Sequence, residues 1–287
     1  WLLKYQLALI YRDRNRLPEC KQLLLSCGEI SSYSPFYATR AAIFRDNDTA
    51  QCLRDLQKAV SLNPSQWRYQ KLLAEYYNAH AQQEKALAIS VSFYKDHPGQ
   101  YIMSMLHART LMLNKKYKEA DRVLSRINII PFEGATEGKA LYREAKLMLA
   151  LQEMQKHNYR KALAFIGQSR LWPRNLGVGK PYDNEIDSRL EDWMEYLCSI
   201  RFTPRIDNTV SNFISSNTLV SAWAIEKREG REKAVEWIDQ QMVSYPHLLT
   251  VLKWSKDMFE NNGSSGLSNP DKDAGMRILE ALSAGGK

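Results

Sequence analysis

Glycine and proline are scarce in this chain, 13 and 10 among 287 residues. Strand-like alternation of apolar and polar residues is almost absent. Together these shortages argue against sandwiches, barrels and Rossmann folds, which need alternating strands and frequent turns. No apolar run approaches the roughly 18 residues of a membrane span, so no membrane partner is expected. Only four cysteines occur, Cys20, Cys27, Cys52 and Cys198. None forms a Cys-x-x-Cys pair, which removes the usual zinc and dithiol motifs. Cys20 and Cys27 fall on one predicted helix, about 10 Å apart along its axis and too far for a disulfide. They read as small core residues, and isolated thiols of this kind lean toward a reducing, cytoplasmic compartment. The chain opens on Trp1 and runs straight into a helical pattern without a signal or transit segment, as expected of a piece of a longer protein.

Catalytic constellations are equally sparse. The five histidines, His80, His97, His107, His157 and His247, show no metal-ligand spacing and no His-Glu-x-x-His. His107, beside Ala108, reads as a satisfied core histidine. No Gly-x-Ser-x-Gly elbow or Cys/His signature appears. This region is therefore expected to be no enzyme and to carry no metal or cofactor. The acidic residues Asp183, Glu185, Asp187, Glu191, Asp192 and Glu195 lie on a predicted helix from Asp183 to Ile200. Ile186, Leu190, Trp193, Met194 and Leu197 occupy its apolar face, so the carboxylates are expected to form a solvated one.

What is present is a basic balance and a repeat. Forty Lys and Arg against 32 Asp and Glu leave a net charge of +8. The basic residues are spread along the chain with no consecutive block, so nucleic acid stays an alternative partner that the pattern does not favour. Small residues recur in pairs twelve positions apart: Ala8 with Cys20, Ala74 with Ala86, Ala108 with Ala120, Ala150 with Ala162, and Ala222 with Ala234. Ala41 joins the series with either Cys52 or Leu53 as its second member. The leading residues Ala8, Ala41, Ala74 and Ala108 are spaced by 33, 33 and 34. Such spacing predicts antiparallel helix pairs, with small residues where the backbones cross and larger apolar residues around them. The first pair gives Leu7, Ala8, Tyr11, Cys20, Leu24 and Cys27. The third gives Leu73, Ala74, Tyr77, Ala86, Phe93 and Pro98. Pro64, Pro98 and Pro246 end second helices. Trp67, Trp172, Trp193, Trp223, Trp237 and Trp254 fall mostly on apolar stripes and read as core.

On these residues the chain resembles the tetratricopeptide-repeat (TPR) superfamily over most of residues 1–250. The resemblance implies an all-α, right-handed superhelix of antiparallel helix pairs. It also implies a concave face lined by first helices. With each leading alanine as register, the inward candidates are Tyr5, Arg12, Arg45, Arg68, Lys71, Glu75, Asn78 and Arg109. Their basic excess matches an acidic peptide or a carboxylate, and it matches equally a solvated basic face. Some TPR families hold a terminal carboxylate in a clamp of Lys, Asn and Arg. Leu9, Glu75 and Arg109 stand where the first clamp Asn belongs, so a chaperone-tail clamp is not expected.

The pattern breaks between Ala150 and Ala222. Trp172-Pro173 ends a helix and a loop follows, Arg174-Asn175-Leu176-Gly177-Val178-Gly179-Lys180-Pro181. It is no P-loop: Arg174 replaces the first glycine, Pro181 follows the lysine, and a helix precedes it. Its two glycines and flanking prolines predict a rigid turn, with Asn175, Gly177, Gly179 and Lys180 as contact candidates. This loop looks like one in large bacterial TPR proteins that carry domain of unknown function 5107 upstream. That resemblance implies a missing large, β-rich N-terminal part, and a carbohydrate-related role for that part.

Pro204 and a short helix over Asp207–Ser215 complete an irregular pair. Asn261-Asn262-Gly263-Ser264-Ser265-Gly266 reads as a break, and Pro270–Leu282 as a helix capping the last repeat. The organisation expected is repeats over 1–172, the loop and irregular pair over 173–215, a final repeat over 216–262, and the capping helix within 263–287. The function expected is a non-catalytic scaffold for a protein or peptide, acidic in character, or for the chain's own upstream domain. An accessory region of a carbohydrate-handling protein and a nucleic-acid-binding helical array are the alternatives.

Overall fold

A computed structural model describes residues 1–30, 32–131, 135–199, 213–261 and 273–285. Among these residues every regular element is helical and no strand occurs. The chain divides into two compact units, Trp1–Asn114 and Lys115–Lys287.

The first unit holds α1 (Leu2–Asp13), α2 (Leu17–Ser26), α3 (Ser34–Phe44), α4 (Thr49–Leu62), α5 (Trp67–Ala79), α6 (Gln83–Asp96) and α7 (Tyr101–Leu113). Helices α1/α2, α3/α4 and α5/α6 pack as consecutive hairpins, and α7 packs on α6 and α5. The small residues sit where the spacing puts them: Ala8, Cys20, Ala74, Ala86, Ala108 and Ala120 are fully buried. Ala41 takes Cys52 rather than Leu53 as its partner, since Cys52 is buried and Leu53 only half so. Burial lifts the Cys52 and Cys198 thiols to about 11 and keeps them protonated. All four cysteines are free.

The twelve-residue spacing has a local cause. Asn15, Ala81, Lys115 and His157 adopt φ of 57°, 55°, 58° and 57°. Each stands seven positions after a leading alanine and five before the second small residue. The amide of Asn15 donates to Arg12 O at 2.9 Å and that of Arg16 to Tyr11 O at 2.8 Å. His157 and Asn158 repeat the two bonds on Met154 O and Glu153 O, each at 2.8 Å. These are Schellman closures, in which one left-handed residue satisfies the last helical carbonyls and turns the chain back. At these four corners a fixed turn between fixed crossing points gives the fixed spacing; the Ala222/Ala234 pair keeps the spacing with a different corner at Gly230, φ 98° and ψ 166°.

Inside the α3/α4 hairpin Arg40 grips Asp55 with two hydrogen bonds, Nε at 2.8 Å and Nη2 at 2.7 Å. Both side chains are buried. One sequence expectation fails at the other end of this unit: Leu7, assigned to the core of the first pair, is 40% exposed.

The second unit holds α8 (Tyr117–Leu124), α9 (Glu137–Gln155), α10 (Tyr159–Ser169), α11 (Arg189–Cys198), α12 (Thr218–Glu229), α13 (Arg231–Ser244), α14 (Leu249–Glu260) and α15 (Ala274–Ala284). Helices α9/α10 and α12/α13 are hairpins, α8 packs on α9, α11 on α10 and α12, and α14 on both α12 and α13. Trp193, Trp223 and Trp254 are buried here, and the first two stack at 5.8 Å between ring centroids.

Three expectations are corrected in this unit. The helix expected from Asp183 begins at Arg189, because Asp183–Glu185 forms a separate 3-10 turn. The acidic residues are not a solvated face. Glu191, 3% exposed, accepts from Arg143 at 2.6 and 2.7 Å, and Arg170 pairs with Asp192 at 2.9 Å and Glu195 at 3.2 Å. Asp187 accepts from Arg189 and from Ser215 Oγ, leaving Asp183 and Glu185 exposed. The last helix spans Ala274–Ala284 and packs on α9, in the middle of the chain, not on the final repeat. Arg277 of α15 donates to Glu144 of α9 at 2.7 and 2.8 Å. A buried carboxylate on α9 therefore selects the docking place. The expected break beyond Asn261, Pro204, and most of the expected helix at 207–215 lie outside the described residues.

Candidate functional site

The candidate surface is built from the first helices of the first unit. Relative to the leading alanines, Arg68 stands at −6, Tyr5 and Lys71 at −3, Glu75 and Arg109 at +1, and Arg12, Arg45 and Asn78 at +4. Steps of three and four residues keep these positions on one stripe of each helix. Successive first helices are tied along that stripe. Tyr5 OH and Thr39 Oγ1 share a hydrogen bond of 3.0 Å between α1 and α3. Asn78 Nδ2 donates to Thr110 Oγ1 at 3.1 Å between α5 and α7.

The eight residues divide by environment. Tyr5 is buried, and burial raises its hydroxyl pKa above the usual value against the opposing Thr39 bond. It serves as a tie between helices, as Asn78 does. Lys71 and Glu75 neutralise each other at 2.5 Å, one turn apart on α5. Arg12 pairs with its neighbour Asp13 at 2.8 Å. Arg68 lies over the Trp67 ring, 4.5 Å from its centroid. Arg12, Arg45, Arg68 and Arg109 are exposed. The stripe thus presents exposed guanidinium groups at four successive first helices, Arg12 beside Asp13 and Lys71 paired with Glu75. Thr39 and Thr110, which complete the ties, carry no sequence signal beyond their place on a first helix.

The loop candidates lie in the second unit and split in the same way. Asn175 Nδ2 donates to Leu124 O at 2.9 Å and Ile127 O at 2.7 Å, closing the end of α8. Its own carbonyl accepts from the Ile129 amide at 2.8 Å. Gly177 has φ +66°, and a Cβ there would stand 2.9 Å from Ile129 O. Gly138 on α9 meets the loop as closely, since a Cβ would fall 3.0 Å from Leu176 Cβ and O. Asn175 and Gly177 thus lock the loop onto the body. Gly179 and Lys180 are exposed, and Lys180 pairs with Asp183 at 2.7 Å. Next to this loop, Lys139 Nζ donates to Ser169 O and Leu171 O at the end of α10 and lies 4.9 Å from the Trp172 ring.

No protein-family model matches the chain. No curated protein matches it. Among solved structures it is similar to PilW, described as a widely conserved type IV pilus biogenesis factor. The match covers 87% of this chain and 97% of that one, at 14% identity and a TM-score of 0.44. A likeness of that size adds nothing to what the hairpins themselves show. Among the described residues no helix is long and apolar enough to cross a membrane.

Proposed function

We propose that this chain is a non-catalytic protein-interaction scaffold whose first-helix stripe binds an acidic segment of a protein partner. The observation that supports it is the register. Exposed Arg12, Arg45, Arg68 and Arg109 recur on successive first helices that are hydrogen-bonded side by side. Guanidinium forks match carboxylates two bonds at a time and cannot be deprotonated. A row spaced by one hairpin each suits an extended acidic peptide better than a single anion. The Lys71–Glu75 pair interrupts the row and sets where a partner's own charges are tolerated.

The test is affinity capture with the chain as bait, run with and without nuclease, beside the triple variant Arg45→Glu, Arg68→Glu, Arg109→Glu. The expected result is a nuclease-resistant protein ligand that the variant releases and that weakens as salt rises. Ligands that vanish with nuclease, or that the variant keeps unchanged, overturn the reading.

A further inference from the structure

The first-helix stripe changes character in the second unit. At −6, −3 and +1 from its leading alanine, α5 carries Arg68, Lys71 and Glu75, none of them buried. Counted from Ala150, the same positions on α9 are Glu144, Leu147 and Leu151, and all three are buried. A helix of the chain itself lies along this stripe. Near the start of α15, Arg277 donates to Glu144 at 2.7 and 2.8 Å. Just past its end, a Cβ on Gly285 would stand 3.5 Å from Gln155 Nε2. The two helices therefore run parallel. Gly275 meets Ser216, which holds the −6 position ahead of α12, so closely that a Cβ would collide with Ser216 Oγ. Met276, Ile278, Leu279 and Leu282 are buried. In this way α15 meets the stripe as a helical ligand meets a groove. It brings a small residue to the tightest approach, an arginine to a buried carboxylate, and apolar residues at steps of three and four.

The seat of α15 is imperfect. Ser283 Oγ is buried on it without a hydrogen-bond partner. A buried hydroxyl left unpaired weakens the docking of the helix that carries it. The 11 residues of α15 are also too few for a helix that stands alone in water. The groove holds this helix, and a helix without the orphaned hydroxyl fits the groove better. We propose that the α9 stripe is a docking groove for an amphipathic helix of a partner protein, with α15 as its exchangeable internal occupant. The partner chemistry follows from the occupant. It is a helix with a glycine facing Ser216, an arginine two residues later to reach Glu144, and apolar residues spaced as Met276, Leu279 and Leu282 are. The groove belongs to the second unit, and the proposal does not rest on the reading given to the arginine stripe.

The probe is a fluorescein-labelled peptide of residues 273–285, titrated by anisotropy against the full chain. In the wild type the tethered α15 competes at an effective concentration on the order of millimolar, so the peptide should bind weakly. The Arg277→Ala chain loosens its own helix and keeps Glu144 in the groove. It should bind the peptide with Kd on the order of 10–100 μM, at least about tenfold tighter than the wild type does. Adding Glu144→Gln to that chain should weaken binding at least about tenfold. The peptide with Gly275→Ala is the better helix former, yet it should bind at least about tenfold more weakly, because its Cβ meets Ser216. Should Arg277→Ala fail to fold, Leu282→Ala replaces it and loosens α15 with the ion pair intact. The proposal is overturned if the loosened chain binds the peptide no better than the wild type, which makes α15 a fixed part of the fold. It is overturned equally by binding that ignores Glu144→Gln or Gly275→Ala. A wild-type dimer in sedimentation that excess peptide dissociates also overturns it and assigns the groove to α15 of a second copy.

Discussion

Single residues at the hairpin corners carry a measurable strain. A left-handed backbone brings an L side chain's Cβ against its own carbonyl, at about 1–2 kcal/mol. Asparagine and histidine tolerate the conformation better than most residues, whereas alanine gains nothing from it. Ala81 at φ 55° is therefore a position where glycine improves the folded state. Part of that gain is lost to the freer unfolded chain, so Ala81→Gly should stabilise by about 0.5–1 kcal/mol. Asn15→Gly and His157→Gly should change little. Thermal melts of the three variants check the ranking, and an equal response at all three would show that the corner is not the source. Gly177 gives the opposite case. Its φ of +66° and its closeness to Ile129 O leave no room for a Cβ. Gly177→Ala should destabilise by more than about 1 kcal/mol.

At the scale of elements, helices meet through small residues where the chain is regular and through buried charge where it is not. The α5/α6 crossing needs only Ala74 and Ala86, both fully buried. The docking of α15 on α9 instead depends on Arg277 and Glu144. Removing one member of such a pair leaves a charge without its partner in a place poor in water. Arg277→Ala should cost about 2–3 kcal/mol and expose α15 first. Limited proteolysis checks this: cleavage within Ala274–Ala284 should precede cleavage in α9. Replacing both residues by Leu and Met should recover most of the loss. The loop after α10 is held by Asn175, whose amide serves two carbonyls. Asn175→Ala should lose about 1–3 kcal/mol and speed amide exchange at Ile129, whose partner is the Asn175 carbonyl.

For the whole molecule, the response to acid follows from the carboxylates it buries. Burial by itself would raise the Asp187 pKa. The hydrogen bonds and charge of Arg189, with Ser215 and Asn217, outweigh it and hold the group at about 2. A carboxylate whose folded pKa lies below its unfolded value stabilises above the unfolded value and loses that contribution as pH falls through the folded one. The window here is pH 4 down to pH 2, and the amount is roughly 2 kcal/mol. Denaturation at fixed pH should show the wild type losing this stability across the window. Asp187→Asn, less stable at pH 7, should run flatter there. Parallel curves for the two proteins would remove Asp187 from the acid response.

The sequence by itself determined the helical class and the hairpin spacing. Both are local: a period of 3.6 marks a helix, and small residues twelve apart mark two helices joined by a tight corner, left-handed at Asn15, Ala81, Lys115 and His157. The stripe of arginines was legible for the same reason, since helical register alone puts Arg12, Arg45, Arg68 and Arg109 on matching faces. What only the tertiary structure decided is where distant parts meet. Arg277 finds Glu144 across 133 residues, and Arg143 finds Glu191 across 48. No periodicity encodes such a pairing, so the acidic residues looked solvated and the last helix looked like a cap on the last repeat. The burial of individual apolar residues was hidden likewise. Leu7 carries the same apolar signature as Leu73, yet among the described residues Leu73 is buried and Leu7 is not. The pattern states which face is apolar, and the neighbour that buries it is a fact of three dimensions.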